Sequence, residues 1–306
     1  MSIVGFIGLG IMGSPMAKNL IDKGCKLFVN DVDPCAVEKL VAYGAKYASL
    51  ERIGMECQMI FTVLPSDDIV KAVICGEEGI GTVIKPETVV VDCSSITPTQ
   101  ARQCSEFLHE RGCEYLDAPV SGGEPKAVDA TLSIMVGGDE KTFNKVLPYL
   151  LMIGSSAEYI GESGSGCITK LANQIIVNLT IAAVSEALVL AAKAGVEPNN
   201  VYKAIRRGLA GSAVLEAKAP LMIHRQFEPG GKLSINLKDI KNVMGTAHDI
   251  NVPLPLSSYL LEIMQALKVK GHLNEDHSAI IKYYEDLADI QIDQGINRED
   301  KCETKK

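Results

Sequence analysis

The sequence predicts an α/β domain built on a doubly wound, mostly parallel sheet, followed by a second domain made only of helices. Three observations predict it. Short apolar, β-branched runs alternate with amphipathic helical patterns through the first half. No convincing run of that kind follows Gly161. The 306 residues also suit two domains, at ~100–200 residues for each.

Residues 3–7, 26–30, 59–62, 88–91 and 114–116 are short apolar runs bounded by Gly, Asp or Pro and read as strands, with 132–136 and 157–160 similar to them. Residues 12–23, 34–43, 67–73 and 99–111 lie between them with helical periodicity. Strands alternating with helices build βαβ units, hence a parallel sheet covered on both faces. The turn ESGSGC at 162–167 then leads into about 28 residues of helical pattern. Helices are expected at 198–207, 213–223, 239–249, 255–268 and 277–289, the last opened by Asp276 as a cap. The expected domains are 1–162 and 163–295, with a charged, aperiodic tail at 296–306 expected to be disordered.

Hydrophobic residues make up 47% and charged residues 22%, enough apolar material for a large core. With a net charge of −8 and no Lys/Arg block, the chain is unsuited to a phosphate backbone, so nucleic acid is not an expected partner. Abundant glycine without tryptophan suits α/β layers better than a β-sandwich. Nine cysteines, an odd number without CxxC spacing, read as reduced thiols of a cytoplasmic protein rather than a disulfide framework or zinc site. The five histidines lack ligand spacing, so no metal is expected. The N-terminal MSIVGFIGLGIMG has no basic n-region and opens a strand, unlike a signal peptide. The apolar stretch 175–192 contains Asn178, Ser185 and Glu186. It reads as too polar for a membrane span and suited to a buried helix.

The first strand runs into Gly8-Leu-Gly10-Ile-Met-Gly13. GxGxxG alone is a weak signal, but here a strand precedes it, a helix follows, and an acid ends the second strand. Gly8 permits the turn, Gly10 lets backbone approach a pyrophosphate, and Gly13 lets helix pack on sheet. Ile11 and Met12 lie between them at the helix N-terminus, where N–H groups favour an anion. Asp31 lies 18 residues past Gly13 and directly after Asn30, which places its carboxylate toward an adenosine ribose. Val32 and Asp33 follow. Two acids and no cation around a 2′-phosphate position favour NAD over NADP.

Asp117-Ala-Pro-Val-Ser121-Gly122-Gly123 follows a strand, on the edge where open α/β sheets bind ligands. Its hydroxyl and glycine N–H groups suit a carboxylate, although a plain Gly-rich connector has the same composition. Lys170, Asn173 and Gln174 share one face of the next helix, and Asn178 extends the stripe. A lysine in the first turn of a largely buried helix is costly and sits at the wrong end of the dipole. It is either a proton donor to a carbonyl oxygen or a side chain that snorkels to water. Lys238-Asp239, a lone pair expected just before a helix, reads from spacing alone as a surface salt bridge.

Four stretches together carry a resemblance: GFIGLGIMGSPM (5–16), DAPVSGG (117–123), GSGCITKLAN (164–173) and NLKD (236–239). In this order the chain resembles the β-hydroxyacid dehydrogenases, from residue 3 to about residue 292. The resemblance implies a Rossmann-type NAD-binding domain joined by a long helix to an all-helical domain that also mediates oligomerisation, as a homodimer or homotetramer. It implies Lys170 as catalytic acid/base, Ser121, Gly122 and Gly123 holding the carboxylate of a small carboxylic acid, and Asn173 and Gln174 near its hydroxyls. Lys238 would reach toward cofactor and substrate, and Leu64, Pro65 and Ser95 would line the nicotinamide half of the cofactor. Residues 121–135, 170–188 and 204–220 are most similar to the branch that reduces tartronate semialdehyde. One departure is Pro229-Gly230-Gly231, where relatives often carry PGF. The missing aromatic leaves 3-hydroxyisobutyrate and 2-(hydroxymethyl)glutarate as alternative substrates. A non-catalytic NAD-binding regulator is the alternative of another class, and the presence of Lys170, Asn173 and the Ser-Gly-Gly loop argues against it.

Overall fold

The computed structural model describes residues 3–292. The tail expected at 296–306, with Cys302, lies outside the described residues. The chain divides into two compact units, Met1–Ala172 and Asn173–Lys306, and the division falls within the long helix.

The first unit opens with β1 (Ile3–Ile7), α1 (Gly13–Asp22), β2 (Lys26–Asn30), α2 (Pro34–Tyr43), β3 (Lys46–Tyr47), α3 (Leu50–Glu56) and β4 (Met59–Thr62). There follow α4 (Asp67–Cys75), β5 (Val89–Asp92), α5 (Pro98–His109), β6 (Glu114–Asp117), β7 (Val120–Ser121), α6 (Gly123–Val128), β8 (Leu132–Gly137), α7 (Glu140–Ile153) and β9 (Gly154–Gly161). The first six strands are parallel neighbours in the order β3-β2-β1-β4-β5-β6. This is the doubly wound Rossmann order, with its switch point between β1 and β4. β8 joins β6 antiparallel, β7 pairs antiparallel with β8, and β9 pairs parallel with β8.

Alternate strand residues feed two cores. Val4, Phe6, Val29, Phe61 and Val91 lie in one, and Ile7, Phe28, Ile60 and Val90 in the other. Burial on both faces explains why these strands are continuous apolar runs. Phe6 and Phe61 stack across the sheet with ring centroids 6.0 Å apart.

Helix α8 (Ser165–Lys193) runs from the first unit into the second. Its mean hydropathy reaches 2.1, so by length and composition it could cross a membrane. This corrects the expectation that it is too polar to do so. Its polar side chains are instead absorbed: Asn178 and Ser185 are buried and donate to the Gln174 and Ile181 carbonyls of their own helix.

The second unit continues with α9 (Pro198–Ile205), α10 (Ala213–Ile223), α11 (Leu233–Asp249), α12 (Pro255–Val269) and α13 (Ile281–Ala288), with short 3₁₀ turns at His272–Asn274 and His277–Ile280. One expectation is corrected here. Lys238-Asp239 does not precede a helix but lies inside α11, which begins at Leu233.

Candidate active site

The glycine loop, Asp31, Leu64-Pro65, Ser95 and the Ser121–Gly123 segment all lie at or just past the carboxyl ends of strands, the ligand edge of such a sheet. Gly8 (φ +94°) turns the chain, and a methyl group on it would stand 2.2 Å from the Val63 carbonyl oxygen. Gly10 and Ile11 are exposed at the rim, and a Cβ on Gly10 would meet nothing within 4 Å. Met12, at the start of α1, supplies no side-chain cap; in the first turn the Ser14 N–H is taken by the Gly10 carbonyl and Pro15 has none, which leaves the Gly13 end of the helix for an anion. An open approach to Gly10 beside an uncapped helix start fits a pyrophosphate. These residues therefore suit the dinucleotide expected from the sequence.

Asp31 is tied to this loop. Its Oδ2 accepts the Leu9 N–H at 2.5 Å and its Oδ1 accepts the Asp33 N–H at 2.8 Å. Asp33 in turn caps α2 by accepting the Cys35 N–H at 2.9 Å. Asn30 donates its side-chain amide to the Ala48 carbonyl, which braces the end of β2.

On the other side of the switch point, the Leu64 N–H donates to Ser94 Oγ at 2.8 Å. This bond couples the Leu64-Pro65 turn to the Ser94-Ser95 turn. Buried Asp92 supports both by accepting from Thr62 Oγ1 at 2.7 Å and the Tyr115 hydroxyl at 2.9 Å. Burial pushes its carboxyl pKa up, opposed by hydrogen bonds from Ser94, Thr62 and Tyr115.

Ser121 ends β7, opposite Ser133 of β8. Gly122 (φ +142°) and Gly123 (φ +70°) follow it in backbone that disfavours side chains, and both are exposed. Lys170 lies in α8 one turn before Asn173 and is half-buried.

In the second unit Asn173, Gln174 and Lys238 are linked through a residue the sequence reading treated only as the partner in a pair. Asn173 Nδ2 donates to Gln174 Oε1 at 3.1 Å, and Gln174 Nε2 donates to Asp239 Oδ2 at 2.5 Å. Asp239 Oδ1 holds Lys238 Nζ at 3.1 Å. Asp239 is 2% exposed, so this is no surface salt bridge. The signal that could have found it is polarity at a core-facing position of α11.

A family model described as the NAD binding domain of 6-phosphogluconate dehydrogenase matches residues 3–161. A second, described as NAD-binding of NADP-dependent 3-hydroxyisobutyrate dehydrogenase, matches residues 164–284. A 2-hydroxy-3-oxopropionate reductase of Escherichia coli is 39% identical over 94% of this chain and 99% of its own. A 2-(hydroxymethyl)glutarate dehydrogenase of Eubacterium barkeri is 34% identical over 95% and 98%. Among solved structures, the 3-hydroxyisobutyrate dehydrogenase of Mycobacterium tuberculosis with L-serine superposes with a TM-score of 0.85 at 29% identity, covering 93% of this chain and 99% of that one.

Proposed function

The chain belongs to the β-hydroxyacid dehydrogenase family, an NAD-dependent oxidoreductase type, and on that premise we propose that it reduces tartronate semialdehyde (2-hydroxy-3-oxopropionate) to glycerate. The observation that carries the substrate reading is the 39% identity to a reductase of that aldehyde over nearly the whole of both chains. The stretches at 121–135, 170–188 and 204–220 agree with it.

Bound NADH would supply the hydride. In this reading Gly8, Gly10, Ile11, Met12 and Gly13 hold its pyrophosphate, Asn30 and Asp31 its ribose, and Leu64, Pro65, Ser95 and Lys238 its nicotinamide side. Ser121 and the N–H groups of Gly122 and Gly123 hold the substrate carboxylate, with Asn173 and Gln174 at its hydroxyl. Lys170 gives a proton to the aldehyde oxygen as negative charge develops there, and takes it back in the oxidative direction. The Gln174–Asp239–Lys238 chain of bonds keeps two of these polar side chains in place. The 1–162 domain would carry the dinucleotide. The enzyme would work in the cytoplasm. It would do so as a homodimer or homotetramer, and exposed apolar residues on α8 such as Ile176 and Leu190 support the self-association.

A second reading rests on Gly231. The nearest atom to a Cβ placed there would be His277 Nε2, at 3.7 Å. In this reading the aromatic missing at Gly231 would leave room for a bulkier 3-hydroxy acid. Steady-state kinetics with NADH and the semialdehydes of glycerate, 3-hydroxyisobutyrate and 2-(hydroxymethyl)glutarate decide between them. The highest kcat/KM is expected with tartronate semialdehyde. About a tenfold advantage for either bulkier aldehyde, a difference of about 1.4 kcal/mol, would replace the first reading with the second.

A further inference from the structure

The start of α8 is capped in an unusual way. The residue before its first turn is Gly164 (φ +91°), which has no side chain to accept the unpaired N–H groups that open every helix. Ser163, just before it, has a buried hydroxyl that meets no partner among the described residues. The cap comes instead from a strand 47 and 50 residues earlier. Asp117 Oδ1 accepts the Gly164 N–H and Asp117 Oδ2 accepts the Cys167 N–H, both at 2.8 Å.

The surroundings are shaped to admit this contact. Asp117 is fully buried at the end of β6, paired with Asp92 on one side and Gly137 on the other. A Cβ on Gly137 would stand 2.6 Å from Asp117 Oδ1. A Cβ on Gly166 would stand 2.4 Å from the Met135 carbonyl oxygen and 2.5 Å from that of Asp117. Only glycine at both places lets helix, carboxylate and strand close to this distance. Burying a carboxylate is costly, and a local Ser or Asp cap would stabilise the helix start without that cost. What a local cap cannot do is fix the helix against the sheet.

Two arms leave Asp117. One passes through buried Ala118 and Pro119 to Ser121. It is held by the Met135 N–H to the Pro119 carbonyl at 3.1 Å and by the β7–β8 pairing. The other crosses the two hydrogen bonds, one to Gly164 and one to Cys167, and Lys170 follows one turn after Cys167 on α8. We propose that Asp117 is a positioning residue that sets Lys170 against the Ser121–Gly123 loop by seating the first turn of α8 on the end of β6. The inference rests on Lys170 as the proton donor proposed above, and adds what holds that donor in register.

A double-mutant cycle on the full-length enzyme tests it, with kcat for reduction, NADH affinity by fluorescence titration, and the isotope effect of deuterated NADH as readouts. Asp117→Asn keeps the shape but leaves one of the two N–H groups without an acceptor. Its kcat should fall about tenfold or more, since a 1 Å misplacement of a reacting group can cost ~100-fold. NADH affinity should stay within about twofold, and the isotope effect should rise as chemistry becomes slower. Added to Lys170→Ala, it should cause no further loss, because it acts through Lys170. Gly166→Ala, which leaves the carboxylate and displaces the turn, should give the same pattern and serves where the Asn variant does not fold. Losses that multiply in the double variant, or near-normal kcat in both single variants, would overturn the positioning role alone. A Lys170→Ala enzyme that keeps its rate would remove the proton-donor reading, and this inference with it.

Discussion

A methyl group on Gly13 would stand 1.9 Å from the carbonyl oxygen of Gly8, so the first and last glycines of the loop are in backbone contact. Gly10, between them, has open space where its side chain would be. Gly13 and Gly10 should therefore fail differently. Gly13→Ala should destabilise the first unit by ~1–3 kcal/mol, the usual cost of overpacking, or more. Gly10→Val should leave the melting temperature unchanged and weaken NADH binding by more than about tenfold (~1.4 kcal/mol). Calorimetry beside NADH titration checks this, and wild-type affinity in Gly10→Val would remove the loop from the cofactor site.

The carboxylate of Asp31 is anchored by two backbone N–H groups, and Asp33 is held beside it. Fully exposed Val32 lies between them. A dianionic 2′-phosphate would meet these acids without a cation, so kcat/KM should favour NADH over NADPH by about tenfold or more. Val32→Arg with Asp31→Ser should move the ratio toward NADPH. Because Asp31 also holds Leu9, the double variant should bind both dinucleotides more weakly. Equal or better use of NADPH by the wild type would contradict the assignment.

For Lys170, replacement by Ala should lower kcat for reduction by ~10²–10⁴-fold, the usual contribution of a general acid. NADH affinity should change little, while KM for the aldehyde acid rises. Lys170→Arg keeps the positive charge but does not release a proton near neutral pH, so it should restore KM and not kcat. An Ala variant keeping more than about a tenth of the wild-type kcat would be incompatible with proton donation.

The parts legible in the sequence are those written in local periodicity. Strands buried on both faces showed as apolar runs, and the glycine loop showed by its fixed offsets from β1 and Asp31. The two-residue strand β3, exposed along its length, has no apolar run to reveal it. Helix α7 contains Pro148, which breaks the helical pattern on paper yet is tolerated in the fold. Bonds over long separations left no trace of spacing. Asp239 meets Gln174 across 65 residues and Asp117 meets Cys167 across 50. Both acids stood inside noticed motifs, but only the folded chain shows what they hold.

The helical unit carries its own buried ion pair, whose behaviour with pH follows from its surroundings. Asp276 is fully buried. It accepts Lys218 Nζ at 3.0 Å on both oxygens, the Gly231 N–H at 3.1 Å and the Ser278 N–H at 2.9 Å. Burial alone would push its pKa up. His277, Lys218 and the Ser278 N–H outweigh that, and the carboxyl titrates below its usual range. A carboxyl depressed in the folded state binds fewer protons there than in the unfolded chain, so the stability it contributes is fully present above the unfolded value of ~3.9 and is lost as pH falls from there through the folded value. Asp276→Asn should cost ~3–5 kcal/mol at neutral pH, as expected when one partner of a buried pair is removed. It should also flatten the acid limb of the stability profile. Lys218→Met should cost a similar amount and move the Asp276 pKa upward, because the lysine's charge and hydrogen bonds are lost while burial, His277 and the Ser278 N–H remain. The gap to the unfolded value narrows, so the acid limb should become shallower than in the wild type. Urea unfolding of the three proteins across a pH series reads both effects, and parallel acid limbs in wild type and Asp276→Asn would show that Asp276 does not govern the loss.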